Sequence, residues 1–116
     1  MTTTKIRAYY DVTKAQPQRF YFELIDTAGK KLLRSHRYIA RSSVLHGVSV
    51  CKKTLARKRG LEIVDTVWGK FKVVLKSSNG FEMAESPEYM SREEATNILK
   101  KIYALGVEAP TRDYHA

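Results

Sequence analysis

Apolar residues along the chain first alternate and then change period, and this happens twice. Phe20, Phe22 and Leu24 fall on one face of a strand, as do Phe71, Val73 and Leu75 further on. Residues 27–30 and 77–80 read as hairpin turns, the second carrying the Asn79-Gly80 pair that readily supplies positive φ. A short strand follows each turn, at residues 31–35 and 81–86. Beyond Tyr38 and Tyr89 the period becomes helical: Val44, Val48, Cys51 and Leu55 form one stripe, and Ala95, Ile98, Leu99 and Ile102 another. Ser91 and Glu94 have capping-box spacing, Ser42 or Ser43 is the expected cap of the first helix, and Gly60 and Gly106 are the expected stops. A further β-prone stretch precedes each unit, at residues 6–12 and 61–67, with residues 13–18 as a polar loop.

Shifting the chain against itself by 51 residues brings Phe20 to Leu24 over Phe71 to Leu75, Gly29 over Gly80, Ser35 over Ser86, Tyr38 over Tyr89 and Arg41 over Arg92 without a gap. The expectation is an α+β fold of two tandem β-β-β-α repeats, an antiparallel sheet with helices packed on one face. Residues 1–106 form a single domain in this reading, with repeats at 1–59 and 60–106, and residues 107–116 form a flexible tail. At 116 residues and 43% hydrophobic composition there is material for one modest core.

The segments just described resemble the YegP-like family of tandem-repeat proteins. In the first unit the resemblance is carried by Phe22, Glu23 and Leu24, by Ala28 and Gly29, by Ser35, His36, Arg37 and Tyr38, and by the helical run from His46 to Val50, similar to the family's Asn-Gly-Ile type of segment. In the second it is carried by Phe71, Leu75, Ser78, Asn79 and Gly80, by Ser86, Pro87, Glu88 and Tyr89, and by Asn97. Ile98 stands where the family pattern has glycine. The resemblance implies a compact fold of tandem β-β-β-α units and is silent on activity. The order of elements is also similar, in topology alone, to the Pur-type repeats that bind single-stranded nucleic acid.

Charge changes the picture more than composition does. Residues 1–60 hold 14 Lys and Arg against 3 Asp and Glu, whereas residues 61–116 hold 7 against 9, so the net charge of +9 belongs to the first half. Lys30 and Lys31 lie at the first hairpin; Arg34, Arg37 and Arg41 run into the helix entry; Lys52, Lys53, Arg57, Lys58 and Arg59 crowd the helix end. A helix C-terminus favours cations by about 0.3–1 kcal/mol each, which accounts for one or two of them and not five. Strand alternation sets Arg7, Tyr9, Tyr21, Lys72 and Lys76 on the sheet face away from the helices, where tyrosines for stacking would lie beside cations for phosphate. The expected function is therefore low-specificity, non-catalytic binding of RNA or single-stranded DNA. The alternative is a protein-interaction module, a homodimer or partner-docking unit, whose basic patch serves only solubility or orientation.

No nucleophile elbow, phosphate-cradling glycine loop or metal-ligand spacing is visible, so neither an enzyme nor a cofactor or metal is expected. The acidic group Glu82, Glu85, Glu88, Glu93 and Glu94 fits a helix start better than a catalytic pair. Cys51 reads as core, and Trp68 as a core plug at a turn, with base stacking as its other reading. No helix-turn-helix or zinc-finger pattern favours duplex DNA. With no long apolar run and no apolar leader, a cytoplasmic protein without membrane contact is expected.

Overall fold

Tyr10 and Val12 alternate along their strand with polar neighbours, and both are fully buried, which fixes the face that the strand turns toward the helices. The computed structural model describes residues 8–15 and 19–113, and among these the elements run β1 (Tyr9–Ala15), β2 (Arg19–Ile25), β3 (Lys31–Ser35), α1 (Arg41–Ala56), β4 (Leu61–Asp65), β5 (Phe71–Lys76), β6 (Glu82–Glu85), α2 (Arg92–Gly106) and β7 (Thr111–Asp113). The result is a mixed α+β fold with one seven-stranded sheet, ordered β4-β5-β6-β3-β2-β1-β7. No helix among the described residues is long and apolar enough to cross a membrane.

Two strands depart most from the sequence expectation. β1 begins at Tyr9 and continues through Ala15, because its register with β2 carries on from Tyr9 opposite Ile25 to Ala15 opposite Arg19; the loop expected from residue 13 starts later. Thr111–Asp113, expected in a flexible tail, add a seventh strand beside β1. That pairing is parallel, so the sheet is not wholly antiparallel. The amide of Tyr10 donates to the carbonyl of Pro110 (2.8 Å) and starts this ladder. Ile6 and Arg7 lie outside the described residues.

One core lies between the sheet and the two helices. Phe22, Leu24, Val73 and Leu75 meet Val44, Val48, Cys51 and Leu55 from α1 and Ala95, Ile98 and Ile102 from α2. Each fully buried aliphatic or aromatic side chain contributes about 1.5–3 kcal/mol. Tyr10 meets Phe22 edge to face, at 5.8 Å and 70°, and donates its hydroxyl to the carbonyl of Gly106 (2.6 Å), tying β1 to the end of α2. Burial pushes the Cys51 thiol up to about 11, so it packs as a small apolar group, as its helical stripe indicates.

The Ser-x-x-Tyr segments have a clear physical role. The Ser35 hydroxyl accepts from the amide of Phe22 (2.9 Å) and donates to the carbonyl of His36 (2.7 Å); Ser86 does the same with Val73 (2.7 Å) and Pro87 (2.8 Å). Three residues on, Tyr38 exchanges two backbone hydrogen bonds with Phe20, and Tyr89 does so with Phe71. The serine thus satisfies backbone groups where each strand leaves the ladder, and the tyrosine re-anchors the chain before the helix.

The start of α2 follows the expected cap, whereas its end does not: Gly106, expected as the stop, is the last helical residue and Val107 is the C-cap. Ser91 accepts from the amide of Glu94 (3.1 Å) and caps α2. α1 starts earlier than Ser42 or Ser43 would set it: Ala40 is its N-cap and supplies no side-chain bond. Its stop comes at Arg57, and Lys58 takes the left-handed conformation (φ 54°) ahead of Gly60.

The β2–β3 turn is fixed to α2 by Asp26, a carboxylate 1% exposed. One oxygen accepts from the amides of Ala28 (2.9 Å) and Lys30 (2.8 Å), and the other from the Lys101 ammonium (2.6 Å). Burial opposes ionisation, but the Lys101 bond and the two amides outweigh it and hold the carboxyl below its ordinary value of 3.8. A group depressed on folding stabilises fully above its unfolded value, and that stabilisation fades as pH falls through the folded one. Asp26→Asn is therefore expected to cost about 1–3 kcal/mol at pH 7 in urea denaturation. The gap to wild type should narrow below about pH 3.8; a gap constant down to pH 2 would contradict this account.

Candidate functional site

The cations singled out from the sequence separate into three environments. The first is the sheet face away from the helices, where β-alternation places Tyr9, Tyr21, Lys72 and Lys76 as expected, joined there by Arg34, which the sequence groups with the helix entry. The same alternation brings carboxylates there. Glu23, its side chain 5% exposed, pairs with Arg34 (3.2 Å) and Lys31 (3.6 Å); Lys72 pairs with Glu85 (2.7 Å) and Lys76 with Glu62 (2.9 Å). The Glu85 and Glu62 hydrogen bonds raise the Lys72 and Lys76 ammonium groups above their ordinary values. The tyrosine rings are occupied too: the Arg34 guanidinium sits 4.8 Å from the Tyr21 centroid and that of Arg112 4.6 Å from Tyr9. Among the described residues, the cations of this face thus stand beside carboxylates and its tyrosine rings beside guanidinium groups, an arrangement that strand alternation alone does not show.

A second group lies off that face, spread over the β2–β3 turn, the entry of α1 and its later turns. Arg41 forms an ion pair with Asp113 of β7. The Lys30 ammonium is 5.4 Å from the centroid of Tyr89, and Lys52 stands 5.4 Å from that of Tyr10. Arg37 is exposed between β3 and α1.

The third environment is the end of α1. Among the described residues, Lys53, Arg57, Lys58 and Arg59 form no ion pair. Local backbone explains how they come together. Arg57 and Lys58 donate their amides to the carbonyls of Thr54 (3.2 Å) and Leu55 (2.9 Å), and the left-handed Lys58 then turns the chain toward β4. Gly60 (φ 91°) lies so close to β5 that a Cβ there would meet the carbonyl oxygen of Lys76 at 2.6 Å. Its own carbonyl accepts from the amide of Lys76 (2.8 Å). This close approach sets the basic helix end over the β5–β6 turn and opens a groove of about 570 Å³ between them. Lys53, Arg57, Arg59 and Lys76 line it with Ser77 and Ser78, against the single carboxylate of Glu62.

Ser77, Ser78 and Gly80 had no place in a site read from the sequence. They look like an ordinary hairpin turn until β5 is set beside Gly60. Trp68 also moves: it is 78% exposed in the β4–β5 turn beside Val67 at 93%, so it is not a core plug. The turn closes on itself through the Thr66 amide and the Lys70 carbonyl (2.8 Å). In the acidic group, Glu85 serves Lys72 and Glu94 lies in the capped first turn of α2.

No protein-family model matches the chain. A curated relative, UPF0339 protein PA0329 of Pseudomonas aeruginosa, is 30% identical over 106 residues, covering 91% of this chain and 96% of the relative. The chain belongs to the UPF0339 family. Two solved structures share the UPF0339 fold seen here. The protein of unknown function yegP from E. coli superposes with a TM-score of 0.85 at 20% identity, covering 94% of both chains. UPF0339 protein SO3888 from Shewanella oneidensis gives 0.84 at 20% identity, over 94% of this chain and 98% of that one. The YegP-like resemblance read from the sequence is thereby supported.

Because Gly60 makes the groove, its replacement should be felt more than that of a turn glycine in open space. Gly60→Ala adds a steric conflict to the strain of positive φ, and should cost about 2–4 kcal/mol. Gly29→Ala, where a Cβ meets nothing within 4 Å, should cost about 1 kcal/mol. Urea midpoints of the two variants check this, and equal losses would show that Gly60 is under no steric constraint.

Proposed function

We propose that this protein is a cytoplasmic, non-catalytic binder of RNA or single-stranded DNA with low sequence specificity. The observation that carries the reading is the cluster of Lys53, Arg57, Lys58 and Arg59 at the end of α1, uncompensated among the described residues and set around a groove. Four like charges on adjacent helix and turn positions repel one another in the free protein. A phosphate backbone relieves that repulsion and releases its own condensed counterions. We further read the chain as two β-β-β-α copies offset by 51 residues, an order similar in topology to Pur-type repeats. In this reading phosphate contacts belong to the helix end, and Tyr9 and Tyr21 act on bases only where a strand displaces Arg112 and Arg34 from their rings.

A second reading has its own support. Val67 and Trp68, together with Ile39 and Met90 ahead of the two helices, are large apolar side chains left exposed. They suit docking to another protein or a second copy of this chain.

Fluorescence anisotropy with a labelled single-stranded RNA at two salt concentrations separates the two. Affinity should fall steeply with salt, and reversing Lys53, Arg57 and Arg59 to Glu should lower the log–log salt slope by about 0.7 for each lost contact. Lys72→Glu, which removes a cation already paired with Glu85, should change it little. No binding at low salt, together with a dimer abolished by Trp68→Ala, would reject the nucleic-acid reading in favour of the second.

A further inference from the structure

Among the described residues, three hairpin turns close in the same way. The amides of Asp26, Thr66 and Ser77 donate to the carbonyls of Lys30, Lys70 and Phe81, at 2.9, 2.8 and 2.8 Å, and the glycine of each turn donates back to the first residue's carbonyl. They differ in what the first side chain does. Asp26 accepts from the amides of Ala28 and Lys30 with one carboxylate oxygen, and Thr66 accepts from the amide of Lys70 (3.2 Å). Ser77 instead donates its hydroxyl to the Asn79 side-chain oxygen. The amides of Asn79 and Phe81, which correspond to those Asp26 satisfies, are left with no hydrogen-bond partner among the described residues.

The surroundings of the first and third turns are matched as well. The second oxygen of Asp26 meets Lys101 on α2. Fifty-one residues earlier, the corresponding position on α1 is Val50, which lines the groove with Ser77. The third turn thus lacks both members of the internal ion pair. In their place the groove offers Lys53, Arg57 and Arg59.

We propose that the β5–β6 turn and the end of α1 form a binding site for a phosphate monoester. One phosphoryl oxygen accepts from the amides of Asn79 and Phe81, as the Asp26 carboxylate does in the first turn, and the others face Lys53, Arg57 and Arg59. The proposal rests on the reading of this groove as the polyanion-facing site and gives it a defined ligand. Backbone amides supply direction and the side chains supply charge, the combination by which proteins hold phosphate. A carboxylate at position 77 would occupy the site from within.

The test titrates the full chain with inorganic phosphate and with a nucleoside 5′-monophosphate at constant ionic strength, following backbone amides by NMR. Saturable shifts are expected at Asn79 and Phe81, with no comparable change at Ala28 and Lys30, whose amides Asp26 already holds. Ser77→Asp should fold like wild type, because Asp stands at that position in the first turn. It should bind phosphate at least about tenfold more weakly, and Arg57→Ala should weaken binding to a similar degree. Comparing 5′-phosphorylated with 5′-hydroxyl oligonucleotides then tells a strand end from a free phosphate as the source. Wild-type affinity in Ser77→Asp, or shifts spread over the basic surface without saturation, would overturn the site. RNA binding without phosphate-specific shifts would sink this inference and leave the nucleic-acid reading standing; phosphate binding without RNA binding would do the reverse.

Discussion

The two-residue ladder between β3 and β6, with Arg34 opposite Glu85 and Ser35 opposite Ala84, is the join on which the architecture depends. Without it the sheet would fall into β4-β5-β6 and β3-β2-β1-β7, with β3 and β6 left as unpaired edges. So short a ladder is weak by itself. It is reinforced by contacts that cross the same boundary: Asp26 to Lys101, Lys30 over the Tyr89 ring, and the Tyr10 hydroxyl to the carbonyl of Gly106. These contacts run in both directions between the halves, so the core is common to both. Gly106 shows how closely they fit, since a Cβ there would collide with Leu55 and come within 3.1 Å of the Tyr10 hydroxyl.

The same join explains where charge is compensated. Setting β3 and β6 side by side brings the basic strand residues of the first half against the acidic ones of the second. Arg34 lies opposite Glu85, which in turn pairs with Lys72 of β5. Exposed pairs of this kind contribute about 0–1 kcal/mol each, so their stabilising effect is small. Their effect on the surface field is larger, because they cancel it locally. Among the described residues that line the groove at the end of α1, Glu62 is the one carboxylate, and it is taken by Lys76. Lys53, Arg57, Lys58 and Arg59 thus stand together without an ion pair among the described residues.

Much of this organisation was legible from the residues because it rests on local periodicity. Alternation in β2 and β5, the helical stripes of α1 and α2, the Ser91 cap and the buried Cys51 all follow from spacing alone. Features that depend on register or on distant partners were not legible. Glu23, Glu62 and Glu85 neutralise the sheet face only because particular strand neighbours face one another. β7 has three residues, too few for a period, and its partner lies a hundred positions earlier. Trp68 reads as core by type, but the turn around Thr66 and Lys70 closes before the chain can bring it inward. The basic helix end was visible as a charge run, whereas its groove needed the approach of Gly60 to β5, which no periodicity encodes.

The turns that begin at Asp26 and Ser77 close through the same backbone hydrogen bonds, so the differences between their side chains mark where similar turns carry different chemistry. At the first turn the carboxylate of Asp26 and the ammonium of Lys101 satisfy each other and the turn amides, leaving no capacity for a ligand. At the third turn Ser77 and Val50 stand at those positions, and the nearby cations face solvent. An internal ion pair costs desolvation but secures the fold, whereas an open set of donors contributes little to folding and retains its capacity to bind. In the proposed reading the Asp26 turn serves the fold and the turn of Ser77 keeps its donors for a ligand.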